Sequence, residues 1–295
     1  MRWDGLVIAI LGGDEREQEI SRLAARTGAE VRAYGFPWPE GGIDGVSLAP
    51  EPLTAVGGAR YLLLPVPGMS ADASIYAPAA PAPVVPDEQL LGALAPGAHV
   101  IVGAADAALR TAADVVGVTV HEYERDAELM HLRAPAIVEG ALRVAIEQTE
   151  VTIHAAEVCV IGHGTIGSLL ARTLRALGAH AHVAARNPVQ RAAAHAAGLH
   201  AHRLEDLADL APHLGMVFST VPAPVLGRSV LERLPSGALV VDLAAPPGSV
   251  DLQAARELGH RAVWARGLGR RAPVTVGASQ WLGIRRRIEA TEGGR

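Results

Sequence analysis

The 295-residue chain contains no lysine; all 26 of its Lys-or-Arg positions are arginine. That absence excludes Schiff-base catalysis, a lysine general base and the lysine of a phosphate-binding P-loop. A cationic contact to a ligand must therefore come from arginine, histidine or backbone N–H groups. The only cysteine, Cys159, lies in an apolar run. No intrachain disulfide can form, which fits a reducing compartment, and the thiol reads as buried and inert. No stretch approaches the ~20 apolar residues of a membrane span. The apolar run Leu6–Leu11 that follows Met1–Gly5 is too short for a secretory signal, so a cytoplasmic protein is expected. A net charge of −5 gives no electrostatic footing for nucleic acid.

What is present is a globular composition, 49% hydrophobic and 19% charged, long enough for two domains with cores of their own. Apolar runs at 6–11, 31–34, 61–66, 99–102 and 116–120 read as strands of the first half, and a helix with Ile20, Leu23 and Ala24 on its apolar face follows the first. The second half alternates strands at 157–161, 180–185, 215–220, 238–243 and 261–264 with helices at 165–177, 188–197 and 250–258. Apolar strands alternating with helices imply parallel sheets covered on both faces. The Pro- and Ala-rich stretch Ala77–Pro86 reads as an exposed loop. Ile137, Ala141, Val144, Ala145 and Gln148 fall at helical spacing. The expected organisation is therefore a first domain over 1–135, a connecting helix over 136–150 and a second domain over 151–273. A C-terminal helix and tail over 274–295 can cross back to the first. Arg285–Arg287 and Glu292–Arg295 read as a solvated end and a frayed tail.

The second domain carries the motif that decides its type. An apolar strand ending at Ile161 runs into Gly162, Gly164 and Gly167, spaced G-x-G-x-x-G, and a helix opens at Thr165. This is the order a dinucleotide-binding Rossmann unit requires. Gly162 permits the turn, Gly164 lets a pyrophosphate approach the backbone, and Gly167 lets the helix lie on the strand. The helix start then offers N–H groups to phosphate. Gly162, His163, Gly164, Thr165, Ile166 and Gly167 are the expected cofactor contacts. NAD enzymes usually place an acid about 20 residues beyond the glycines to bind the ribose hydroxyls. Here Ala184-Ala185-Arg186-Asn187 stands there instead. A guanidinium binds a 2′-phosphate that an acid would repel, so Arg186 and Asn187 favour NADP. In open sheets ligands lie beyond the C-terminal strand ends. That adds Thr220, Val221 and Pro222 on the nicotinamide side, Leu243 and Ala244 after the next strand, and Gly12-Gly13-Asp14 in the first domain, on a cleft expected between the domains. Two H-x-H pairs, His180/His182 and His200/His202, lack a Cys or Asp ligand set, and no metal is expected.

Several segments together resemble the A-subunit family of bacterial dipicolinate synthase. They are Ile10–Arg16, Tyr34-Gly35-Phe36, Glu124-Arg125-Asp126, Val138–Ala141, Thr152-Ile153-His154, Ser219–Pro222, Asp242-Leu243-Ala244, Pro247-Gly248, Gly267-Leu268 and Ala272-Pro273. The resemblance runs in order from about residue 5 to 290. It implies an N-terminal flavodoxin-like domain followed by a Rossmann domain. It further implies oxidation of dihydrodipicolinate to dipicolinate with NADP, in the mother cell of a sporulating bacterium and beside a flavoprotein-like B subunit. A homo-oligomer is also expected. For a dicarboxylate substrate the expected arginines are Arg16 and Arg125, near Asp14, with Glu139 and Thr275 as further site residues. Asp14 also suits the N-cap of the first helix, and Glu139 reads as either a buried partner of an arginine or a cleft residue. The chain departs from the family pattern where Leu132–Ile137 replaces an Asn and an Ile-Pro-Thr run, where Val274 replaces a lysine, and where Ser249 and Ala265–Arg270 alter Pro-Gly runs. Arg266, Arg270 or Arg271 can stand in for that lysine. The departures leave a second reading, a non-catalytic NADP(H)-binding subunit supporting a flavoprotein. A third, a 2-hydroxyacid dehydrogenase, lacks its late His–acid pair.

Overall fold

The computed structural model describes residues 3–66, 69–70 and 72–293. The chain forms two compact units, one from the residues up to Arg133 together with those from Ala272 onward, the other Ala134–Arg271. Unit 1 contains β1 (Val7–Leu11), α1 (Glu15–Ala25), β2 (Glu30–Tyr34), β3 (Val46–Leu48), α2 (Pro52–Val56), β4 (Tyr61–Leu63), α3 (Glu88–Gly92), β5 (His99–Val102), α4 (Ala107–Val116) and β6 (Thr119–Glu122). α5 (Ala127–Gln148) begins in unit 1 and ends in unit 2. Unit 2 continues with β7 (Glu157–Ile161), α6 (Thr165–Ala176), β8 (His180–Ala185), α7 (Pro188–Ala196), β9 (His200–Arg203), α8 (Leu207–Leu210), β10 (Met216–Ser219), α9 (Arg228–Leu231), β11 (Leu239–Asp242), α10 (Leu252–Glu257) and β12 (Arg261–Trp264). α11 (Pro273–Gly293) packs on α1 in unit 1.

Both sheets are six-stranded and parallel throughout, ordered β3-β2-β1-β4-β5-β6 and β9-β8-β7-β10-β11-β12. The second is the 3-2-1-4-5-6 order of the dinucleotide-binding fold. The first, without its short edge strand β3, follows the flavodoxin order 2-1-3-4-5. Alternation along a strand splits each core into two layers. In β1, Ile8 and Ile10 join α1 and α11 through Ile20, Ala24, Trp281, Ile284 and Ile288, whereas Ala9 and Leu11 join α2, α3 and α4 through Val56, Leu90, Leu91 and Leu109. In β7, Val158 and Val160 face α5 and α6, while Cys159 and Ile161 face Leu207, Leu231 and Ala255. Burial pushes the Cys159 thiol up to about 12, so it stays protonated and inert.

Three expectations change. The apolar run Val116–Val120 is not one strand: α4 ends at Val116, Gly117 takes φ 74 as its left-handed cap, and the strand starts at Thr119. The connecting helix starts at Ala127 rather than near 136, because it runs through Pro135, which sequence rules treat as a stop. The C-terminal segment is anchored. Arg286 pairs with Glu128, the Arg287 guanidinium grips both oxygens of Asp126, and Glu292 accepts a 2.6 Å hydrogen bond from the Tyr61 hydroxyl. Gly294 and Arg295 lie outside the described residues. Among the described residues no helix is long and apolar enough to cross a membrane.

Candidate functional site

In unit 2 each glycine of the elbow has its own physical reason. Gly162 sits at φ 92, and a Cβ there would lie 2.6 Å from Thr220 Oγ1. A Cβ on Gly167 would run into the carbonyl oxygen of Gly162, so only glycine lets α6 approach β7 this closely. Gly164 is exposed, and nothing lies within 4 Å of the position its Cβ would take. It also supplies no side chain to cap α6, whose first-turn N–H groups have no acceptor in the helix. An open patch of backbone donors at the positive end of a twelve-residue helix suits a pyrophosphate. Thr220 Oγ1 donates to the Ile161 carbonyl at 3.0 Å, which ties the end of β10 to the strand before the elbow. Val221 is half-buried beside it and Pro222 is exposed. The half-buried His163 ring has a buried Nδ1 with no partner among the described residues. Burial, assisted by Arg172, lowers its pKa and keeps the ring neutral.

At the end of β8 the expected pair divides its roles. Asn187 Oδ1 accepts from Val189 N–H at 2.8 Å and is the N-cap of α7. Arg186 is exposed, and its guanidinium makes no hydrogen bond or ion pair among the described residues. Arg191, which sequence reasoning missed, donates to the carbonyls of Ala185 and Arg186 and fixes the turn that carries Arg186. Beyond β11, the buried Asp242 carboxylate accepts from the N–H groups of Ala244, Ser249 and Val250 and from the Ser249 hydroxyl. That carboxylate shapes the loop bearing Leu243 and Ala244. The histidines of β8 and β9 bond to one another: His182 lies 2.9 Å from His202 and 2.8 Å from Glu157.

In unit 1 the β1–α1 turn is built by Gly12 and Gly13, at φ 66 and 105. Asp14 is the N-cap and Glu17 completes a capping box, accepting from Asp14 N–H at 2.7 Å. The Asp14 carboxylate also grips Arg16, with Nε at 2.7 Å and Nη2 at 2.8 Å. This resolves the cation at a helix start: Arg16 is buried with its own counter-ion. Burial works against its charge, but the Asp14 bonds and the nearby Glu17 outweigh that and raise its pKa.

Glu17, almost wholly buried, is pushed up to about 7, first by burial and further by Asp14, with Arg16 opposing. Its folded-state pKa lies above the ordinary 4.5, so the native state holds a proton that the unfolded chain releases between these values. Stability should therefore fall as pH rises from about 4.5 to about 7, by on the order of 3 kcal/mol. Glu17→Gln preserves the acceptor for Asp14 N–H and removes the titration. Urea unfolding from pH 4.5 to 8 is expected to show this fall in the wild type and a flatter profile in the variant.

The other expected residues disperse. Arg125 is exposed. Glu139 is an arginine's partner, as one reading had it, but an exposed one, ion-paired with Arg271 within unit 2. Thr275 is exposed in the first turn of α11. A cavity of about 720 Å³ near the starts of α3 and α4, lined by Met69, Val85, Asp87, Ala108 and Ala112 among others, contains none of the expected site residues.

Comparison with known proteins follows this division. Residues 7–124 match the family described as the N-terminal domain of the dipicolinate synthase A subunit, and residues 143–258 match the shikimate/quinate 5-dehydrogenase family. The chain is 30% identical over 278 residues to the A subunit of dipicolinate synthase from Bacillus subtilis (strain 168), covering 92% of each. The crystal structure of the dipicolinate synthase A subunit from Bacillus halodurans superposes with a TM-score of 0.89 at 27% identity, covering 97% of this chain and 98% of that one. The crystal structure of its Bacillus subtilis counterpart gives 0.87 at 25%, covering 100% and 99%. Unit 2 thus has a dehydrogenase-type, NAD(P)-binding fold, and the whole chain belongs to the family of dipicolinate synthase A subunits.

Proposed function

We propose that the protein oxidises dihydrodipicolinate to dipicolinate with NADP as acceptor, alongside a second, flavoprotein-like subunit in a sporulating cell. The observation that carries this reading is the glycine elbow, open at Gly164 and closed at Gly162 and Gly167, in a chain related over 92% of its length to the A subunit of a dipicolinate synthase. When bound, the nicotinamide supplies the hydride-accepting ring. The chain's own residues hold and orient. First-turn N–H groups of α6 receive the pyrophosphate, and Arg186, exposed and uncommitted, is the group available to a 2′-phosphate. Thr220 and Val221 lie against Gly162 of the elbow, and with Pro222 they are the residues assigned in this reading to the nicotinamide side. Loss of a hydride and a proton makes the dihydropyridine ring aromatic, so the step is downhill and positioning is the main task left to the protein.

The test supplies the purified chain, with and without its partner subunit, with dihydrodipicolinate and either NADP or NAD. The expected result is oxidant-dependent appearance of the ultraviolet-absorbing pyridine, with NADP the better acceptor. No pyridine under any of these conditions rejects the activity. An NAD preference of about tenfold, worth ~1.4 kcal/mol, removes the role of Arg186. The exposed Val274, at a position where the family resemblance implies a lysine, favours one other reading, a chain that binds NADP(H) without turnover. That reading predicts cofactor binding with no product in either arrangement.

A further inference from the structure

Among the described residues of unit 1, two arginines are buried, and they differ in one respect. Arg16, 9% exposed, has the Asp14 carboxylate built against it. Arg133, 7% exposed, has no carboxylate at ion-pair distance among the described residues. Its one side-chain hydrogen bond there runs from Nη2 to the Glu124 carbonyl, at 2.9 Å, and its buried Nε has no partner. Asp126 lies within electrostatic reach of Arg133, but both of its oxygens are held by Arg287. A guanidinium removed from water with no anion in direct contact is an expensive arrangement that proteins rarely keep without a ligand for it.

Its location in the fold suits a ligand. Glu124 and Tyr123 follow β6 directly, and their N–H groups bond to the Gly103 carbonyl just past the end of β5. Arg133 therefore sits at the C-terminal edge of the first sheet, where open α/β sheets bind their ligands. The buried Tyr123 phenol lies within electrostatic reach of Arg133, Arg16 and Glu17, so the β1–α1 turn belongs to the same neighbourhood. Burial, the first cause, raises the phenol's pKa and keeps it protonated.

We propose that Arg133, rather than the exposed Arg125, receives a carboxylate of the ligand through its unpartnered Nε–H. A planar guanidinium edge matches a carboxylate in geometry as well as charge. The proposal rests on the dicarboxylate reading only for the identity of the ligand. The unpaired buried charge calls for an anion whatever that identity is.

The experiment is a thermal-shift and calorimetric titration of the full chain with dipicolinate, pyridine-2-carboxylate, benzoate and malonate. It compares the wild type with Arg133→Gln and Arg133→Met, and uses NADPH binding as the check that unit 2 is intact. The expected result is a wild-type shift with dipicolinate that weakens about tenfold or more in affinity in both variants, with NADPH affinity unchanged. Equal dipicolinate affinity in wild type and variants overturns the role of Arg133 and leaves the proposed reaction standing. A shift only with another carboxylate, lost in the variants, upholds Arg133 and counts against the dipicolinate reading. A wild type that responds to none of the four overturns the carboxylate site, while the pyridine-formation assay decides the reaction separately.

Discussion

Gly164→Val is expected to abolish dinucleotide binding while leaving the protein as stable as the wild type. Space around the missing Cβ is empty, so a valine there meets no protein atom within 4 Å of that carbon and creates no overpacking. The same emptiness is what a pyrophosphate needs to reach the first-turn N–H groups of α6, and two added methyl groups would occupy it. Loss of those backbone contacts should weaken NADPH binding by about a hundredfold or more, ~2.7 kcal/mol. Gly167→Ala is the matched control. Its Cβ would collide with the backbone carbonyl of Gly162, so it is expected to lower the unfolding free energy by roughly 1–3 kcal/mol, with binding falling as a consequence. Fluorescence titration with NADPH and a thermal melt on each variant separate the two effects. Wild-type affinity in Gly164→Val means that phosphate does not lie on this elbow.

The contrast between these glycines also shows which features are legible in the amino-acid order. The elbow is legible because its requirements are local: a strand, a turn of positive φ, a helix start and a close crossing all fall within Glu157–Ala176. Asp14 as a cap is legible for the same reason. Long-range pairings are not. Arg286 and Arg287 read as a solvated end because their partners, Glu128 and Asp126, lie about 160 residues away along the chain. Glu292 likewise looks like tail composition until Tyr61 and Arg60 are seen beside it. The split of Val116–Val120 does carry a signal, since Gly117 marks a helix end, but an apolar run masks one glycine. Arg133 has a weaker one, a lone arginine just before a buried helical stretch that contains Ala134, Ala136 and Val138. Burial separates it from Arg125, and local sequence does not encode that difference.

Asp14→Ala should be among the most destabilising single changes in unit 1. It removes the N-cap of α1, a loss of ~1 kcal/mol. It also leaves the Arg16 guanidinium buried without the carboxylate that holds it at 2.7 and 2.8 Å, and breaking such a pair costs roughly 3–5 kcal/mol. Glu17 modifies this cost. The Asp14 charge helps to raise the Glu17 pKa, so its removal lets Glu17 ionise more readily and supply Arg16 with a second-best anion. The loss should therefore be smaller at pH 8, where Glu17 is charged, than at pH 5, where it is protonated. Glu17→Gln alone removes the pH-sensitive charge and leaves Asp14 on Arg16. The double variant strips Arg16 of both anions, and its destabilisation at pH 8 should exceed the sum of the single changes by about 1 kcal/mol or more. Urea unfolding of the four proteins at pH 5 and pH 8 measures that coupling. Additivity at both pH values would mean that Glu17 does not share the charge of Arg16, and the linked Asp14–Arg16–Glu17 turn would have to be abandoned.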